Sequence, residues 1–142
     1  MIHMAVDVSS LVAGLEAFGA RGRAAVTAGV DAGANVAESA IKKQLSTYGQ
    51  HRRGTPTPSP KDHPPAPVSG TLRRGVEKQV RVGYVDVGPT VIYGRIQELG
   101  GTTGRGHRTT LPARPYVQPA FEASKGDIEA AAIAAIRRTL GL

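Results

Sequence analysis

The chain has 142 residues, 40% of them hydrophobic but only 4% aromatic, with no cysteine and no tryptophan. That length is one domain's worth with a modest core of Val, Ile, Leu and Ala, and the lack of cysteine excludes both a disulfide framework and a thiolate zinc site. The formal charge is +7, and all of the excess falls in residues 51–115, where eleven Lys/Arg stand against four acids; such a surface suits DNA, an acidic protein partner or solvent alone.

No apolar run approaches the roughly 18–20 residues of a membrane span, and the start lacks a basic region followed by an apolar stretch. A soluble protein made in the cytoplasm is expected. A core so poor in aromatic residues is marginal alone, and self-association that buries more apolar surface is one remedy.

Asp7, Ser9 and Ser10 offer helix caps before Leu11. Leu11, Leu15 and Phe18, then Val26, Val30, Ala34, Ala37, Ile41 and Leu45, recur at steps of three and four. This predicts an amphipathic helix of about thirty-five residues with a kink near residues 19–22. Its Ala and Gly residues allow a neighbour to approach closely, either the domain's own sheet or another subunit.

Residues 46–68 break the periodicity with six prolines, at 56, 58, 60, 64, 65 and 67. They read as a loop or extended arm, disordered unless a partner holds it. A solvated linker, an arm around a neighbouring subunit and a Pro-rich ligand are the three readings.

A β region begins at Ser69-Gly70. Val76, Val80, Val82 and Tyr84 alternate with Glu77, Gln79 and Arg81, which marks a half-buried strand. At Gly83 the phase shifts to Val85 and Val87, so a turn or bulge divides a hairpin there. Leu72, with Arg73 and Arg74, sets an apolar anchor beside two guanidinium groups. Next, Pro89 suits the first turn of a short helix, Ile92, Ile96 and Leu99 mark its apolar face, and Gly100 suits the positive φ beyond its end.

Residues 100–110, GGTTGRGHRTT, read as a mobile basic loop, with one further strand open nearby. Pro112, Pro115 and Pro119 then restrict the chain, and a last helix runs from about Tyr116–Pro119 to Leu140. Its stripe is Val117, Phe121, Ser124, Ile128, Ala132, Ile136 and Leu140, with acids early and arginines late. The order predicts an α+β fold: a long N-terminal helix and a C-terminal helix packed on a small antiparallel β-sheet, with a long Pro-rich loop.

Catalytic chemistry finds no support in this pattern. His3, His51, His63 and His107 lie in the start or in expected loops, without partners at metal-ligand spacing. The glycine-rich stretch lacks the Gly-Lys-Ser/Thr end of a phosphate loop. No Ser, His and acid occur in a nucleophilic setting, and Asp86 and Glu98 have nothing that places them around a substrate. Neither an enzyme nor a cofactor-binding protein is expected.

Three segments, SGTLRRGV (69–76), VGPTVIYGRIQELGG (87–101) and LPARPYVQPAFE (111–122), resemble in that order the neck or minor-tail-component family of long-tailed bacteriophages, which includes lambda Z-like tail-completion proteins. The family pattern is Ser-Gly-x-Leu-Arg-x-Ser-Ile, a Tyr followed by Glu-aromatic-Gly, and Pro-Ala-Arg-Pro-aromatic followed by Pro-Ala. Gly75 stands for the Ser, Val76 for the Ile and Leu99 for the aromatic. With their connecting core the segments cover about half the chain.

The resemblance implies a structural virion protein at the head–tail junction, assembled as a homo-oligomeric ring, six-fold by analogy with the tail. Its partners would be head-connector or stopper proteins and tail-tube or terminator proteins, with double-stranded DNA passing through the ring. Leu72, Arg73, Tyr93, Glu98, Gly100, Arg114, Pro115 and Tyr116 are the candidate joint residues, and 46–68 and 100–110 the docking loops. Glu98 either pairs with Arg73, Arg95 or Arg114 or is a surface charge. Arg114, held between Ala113 and Pro115, braces Glu98 or contacts a neighbour. Two alternatives stay open: a tail terminator ring, and a basic DNA-binding protein.

Overall fold

The computed structural model describes residue 12 and residues 19–81 and 83–142. They form an α+β fold. In chain order the elements are α1 (Ala20–Gln44), one-turn α2 (Thr71–Arg74), β1 (Val76–Arg81), β2 (Tyr84–Pro89), α3 (Gly94–Leu99), β3 (Gly101–Thr103), β4 (Thr109–Leu111) and α4 (Gln118–Leu140). Each strand pair is antiparallel, β1 with β2 and β3 with β4, giving two small sheets.

Helix α1 begins just after Gly19, whose φ of 66° lies outside the helical region. The expected caps at Asp7, Ser9 and Ser10 and the expected first turns at 11 and 13–18 lie outside the described residues. Within α1 the buried positions Gly22, Ala25, Val26, Gly29, Gly33, Ala34, Ala37 and Ile41 repeat at helical spacing and form one stripe. At its end the Ser46 hydroxyl donates to the Lys42 carbonyl and the Thr47 hydroxyl to that of Gln44, satisfying groups that a helix C-terminus leaves unpaired.

Small residues in that stripe set the distance to α4, which runs antiparallel along it. Gly29 faces Ile136 and Ala132, Gly33 faces Ile128, and Arg21 donates to the Leu140 carbonyl at the far end. A Cβ on Gly29 would sit 2.6 Å from Ile136 Cγ1, so the absence of a side chain permits this approach. Helix α4 stops at Gly141, φ 78°, where the Gly141 and Leu142 amides donate to the Arg138 and Arg137 carbonyls. This is the Schellman closure, in which a left-handed glycine turns two amides back onto the last turn.

The later part of the same stripe also covers the β1–β2 hairpin. Val76, Val85 and Val87 join Ala34, Ala37, Ile41 and Leu45 in one core, and Val117, Ala120 and Ile128 bring the first turns of α4 into it. Register pairs Val76 with Pro89, Lys78 with Val87 and Val80 with Val85, so these side chains share a face. The expected phase change occurs at Gly83, φ 84°. The expected burial of Val80 and Tyr84 does not hold: near the hairpin tip they are 51% and 44% exposed. Lys78 falls on the helix-facing side and reaches Asp31 at 2.6 Å and Asn35 at 2.7 Å on α1, so its charge ends at a partner.

Three further expectations are corrected. Pro89 does not open a helix; it closes β2 opposite Val76, and α3 starts only at Gly94. Of the expected apolar face of that helix, Ile96 is half-buried but Ile92 is 97% and Leu99 60% exposed, because the buried positions of α3 are Gly94 and Glu98 instead. Residues 100–110, expected as a loop, contain the antiparallel β3–β4 hairpin, whose tip turns through Gly106 at φ 71° and His107 at φ 52°.

The Pro-rich arm makes bonds to its own chain. At its base the His51 amide donates to the Pro67 carbonyl and Gln50 Nε2 to that of Val68. At its tip the buried Ser59 hydroxyl donates to the Pro64 carbonyl at 2.6 Å, and the Asp62 amide donates to the Ala113 carbonyl. Prolines lower the entropy lost in ordering such a segment, so a few bonds suffice.

Candidate functional site

The start of α4 lacks a cap of its own: Val117 precedes it, no acid lies in its first turn, and Pro119 occupies an early position. A helix N-terminus presents unpaired amides and a partial positive charge. Glu98, on α3, supplies what is missing. Its Oε2 accepts the Tyr116 and Val117 amides at 2.6 and 2.9 Å, and its Oε1 accepts that of Gln118 at 3.0 Å. The carboxylate is buried, with Glu98 only 6% exposed.

This corrects the expected ion pair: among the described residues no arginine lies within ion-pair distance of Glu98. Three aimed amides and the helix dipole balance the buried charge, with no guanidinium to desolvate. Nor is Glu98 a surface charge.

Tyr116, fully buried, closes the same joint from the other direction. Its hydroxyl donates to the Gly94 carbonyl at 3.0 Å, so Glu98 and Tyr116 clasp α3 and the start of α4 reciprocally. Burial, then the Glu98 charge, then Tyr93, push the phenol well above its ordinary value and keep it a donor.

The backbone fits closely here. A Cβ on Gly94 would lie 2.6 Å from two Pro89 carbons, and one on Gly100, at φ 70°, would lie 2.7 Å from the Ala113 nitrogen. Only glycine meets both demands at Gly100.

Arg114 connects the joint to the arm. Its amide donates to the Gln97 carbonyl at 2.8 Å, and its Nη2 approaches the Ser59 carbonyl at 3.4 Å. It therefore braces the Pro-rich arm, not Glu98. The segment 69–76 enters through Gly75, whose carbonyl accepts both the amide and the hydroxyl of Thr90, at 2.7 and 2.9 Å. Hydrogen bonds thus join 69–76 to 87–101, and 87–101 to 111–122.

The eight candidate residues fall into two neighbouring groups. Glu98, Gly100, Arg114, Pro115 and Tyr116 belong to the joint. Leu72, Arg73 and Tyr93 line a cleft of about 630 Å³ beside it, together with Arg53, Gln97, the arm residues 65–68 and residues 69–71 that follow them. Gln97 belongs to both. Sequence reasoning missed Gly94, Gln97 and Ser59; only the glycine following Tyr93 offered a signal, since backbone carbonyl acceptors leave no trace in residue type.

Both Glu98 oxygens are engaged by the amides of 116–118 at the entry to α4, and the Asp86 carboxylate lies 3.9 Å from Arg81 Nε. His63 Nδ1 is 2.9 Å from the Tyr48 hydroxyl, and His3 lies outside the described residues. Among the described residues no cluster of three or more His, Asp or Glu is placed to hold a metal ion. The arrangement holds elements together and leaves a cleft and a basic hairpin exposed. No protein-family model, curated protein or solved structure matches the chain.

Proposed function

We propose that this chain is a structural virion protein of a long-tailed phage, a neck or tail-completion component that joins the head connector to the tail as a ring. The observation that carries the reading is the meeting of the three segments. Residues 69–76, 87–101 and 111–122, on which the resemblance rests, are bonded to one another through Gly75–Thr90 and Glu98–Tyr116. A residue pattern spread over about half the chain then has one physical purpose: it fixes the angle between the hairpin, α3 and α4. A ring subunit needs such a fixed angle, because errors in it accumulate around the ring.

In this reading the cleft and the β3–β4 hairpin meet the neighbouring layers. The Pro-rich arm, tied at Ala113 and Arg114, presents a preformed surface that loses little entropy on docking.

The test is mass determination in solution followed by labelling of the protein in intact particles under the electron microscope. A ring, or label at the head–tail junction, supports the proposal. A monomer absent from particles refutes it.

One observation favours a second reading, a DNA-binding protein: Arg105, His107 and Arg108 are exposed together at the hairpin tip. Duplex affinity falling steeply between low and physiological salt is its signature, through counterion release. A salt-insensitive or absent interaction removes it.

A further inference from the structure

The cleft beside the joint has a chemistry of its own. Its lining is mainly apolar, from Leu45, Leu72, Tyr93 and the prolines at 65 and 67, with Ser69, Thr71 and Gln97 as neutral polar members, while Arg53 and Arg73, the charged residues among the described lining, are both cationic. No acid lines it. Neither guanidinium has a hydrogen-bond or ion-pair partner among the described residues, and both are exposed.

Positive charge left unneutralised at the edge of an apolar hollow is complementary to a ligand with a carboxylate beside an apolar side chain. Guanidinium groups take carboxylates in two-pronged fashion, which supplies direction as well as attraction. The arm wall also limits how a ligand is held. Of residues 65–67, Pro-Ala-Pro, only Ala66 has a backbone N–H, so that wall cannot pair with a strand laid along it, and recognition falls to side chains.

We infer that this cleft is a docking site for an acidic segment of a partner protein, which seats an apolar side chain between Leu72 and Tyr93 and gives its carboxylates to Arg53 and Arg73. The inference goes beyond the neck reading and does not depend on ring formation, since a monomer presents the same cleft. The arm wall is held in place by the bonds from Gln50 and His51, so the site is preformed.

The test uses the full chain and a short fluorescein-labelled peptide with a central Leu flanked by aspartates, followed by anisotropy. Peptides with the aspartates replaced by asparagine or by lysine serve as comparisons. The acidic peptide binds, and more weakly as salt rises. Arg53→Gln and Arg73→Gln each weaken it about tenfold and together about a hundredfold, as loss of charge-assisted bonds requires. Arg137→Gln, on α4 away from the cleft lining, leaves binding unchanged.

Equal binding of the asparagine or lysine peptide overturns the proposal, as does wild-type binding by the double variant. It also fails if the same two substitutions release duplex DNA or dissociate a dimer while the acidic peptide is unaffected. The occupant would then be nucleic acid or a second copy. Matching thermal midpoints for wild type and variants, expected for exposed positions, tie any loss to the cleft.

Discussion

Glu98→Gln is the most informative perturbation of the joint, because it keeps shape and removes charge. Glutamine has one carbonyl oxygen where glutamate has two acceptors. It can serve the Tyr116 and Val117 amides or that of Gln118, but whichever it chooses, its own NH₂ faces an N–H on the other side. At least one charge-assisted bond is lost, about 1.5–3 kcal/mol, and the attraction to the α4 terminus weakens by about 0.5–1 kcal/mol. A destabilisation of about 2–4 kcal/mol follows, a large share of the ~5–15 kcal/mol that holds a typical domain. In urea the midpoint should fall by about 1–2 M. Hydrogen exchange read by mass spectrometry should show faster exchange at 116–118. A midpoint within about 0.2 M of wild type, with those amides as protected as before, would refute the capping role of Glu98.

Tyr116→Phe removes the bond to the Gly94 carbonyl at nearly constant volume, and a loss of about 1–2 kcal/mol in urea unfolding is expected. The same substitution should alter the alkaline limb. The folded phenol's pKa is raised, so above about pH 10 the unfolded chain releases a proton that the folded chain retains, and wild-type stability falls by up to ~1.4 kcal/mol per pH unit; the Phe variant should lose that part of the slope, and identical slopes would contradict the burial. Gly29→Ala should lower the thermal midpoint, because overpacking against Ile136 and the Ala132 carbonyl, about 1–3 kcal/mol, exceeds the ~1 kcal/mol gain in helix propensity. Gly33→Ala, whose Cβ would meet Ile128 at 3.2 Å, should be milder, and the reverse order would count against close α1–α4 packing. Gly100→Ala combines left-handed strain with a 2.7 Å approach to the Ala113 nitrogen, and should lower urea-measured stability by about 2 kcal/mol or more.

Periodic features were legible without coordinates. The α1 stripe from Val26 to Ile41, the turn at Gly83, the positive φ at Gly100 and the α4 stripe through Ser124 and Ile128 all depend on local rules of spacing and backbone freedom. Local rules misread residues 89–99. There Pro89 suits a helix start and a strand end equally, and the apolar Ile92 and Leu99 lie on the outside. The sequence singled out Glu98, Gly100, Arg114, Pro115 and Tyr116 alongside Leu72, Arg73 and Tyr93, but not the bonds that link Glu98, Gly94 and Tyr116.

By itself, then, the sequence determined the α+β class, the two long helices over their described residues, the β1–β2 hairpin with its turn at Gly83, the basic central segment and the absence of thiol chemistry, since each follows from composition or near-neighbour spacing. Only the tertiary structure decided what Glu98 binds. An acid among many arginines suggests an ion pair, yet the stronger demand came from three unpaired amides at the start of a helix some twenty residues away. Such amides are present in every residue type but proline and become a site only when folding leaves them unpaired and brings a carboxylate to them.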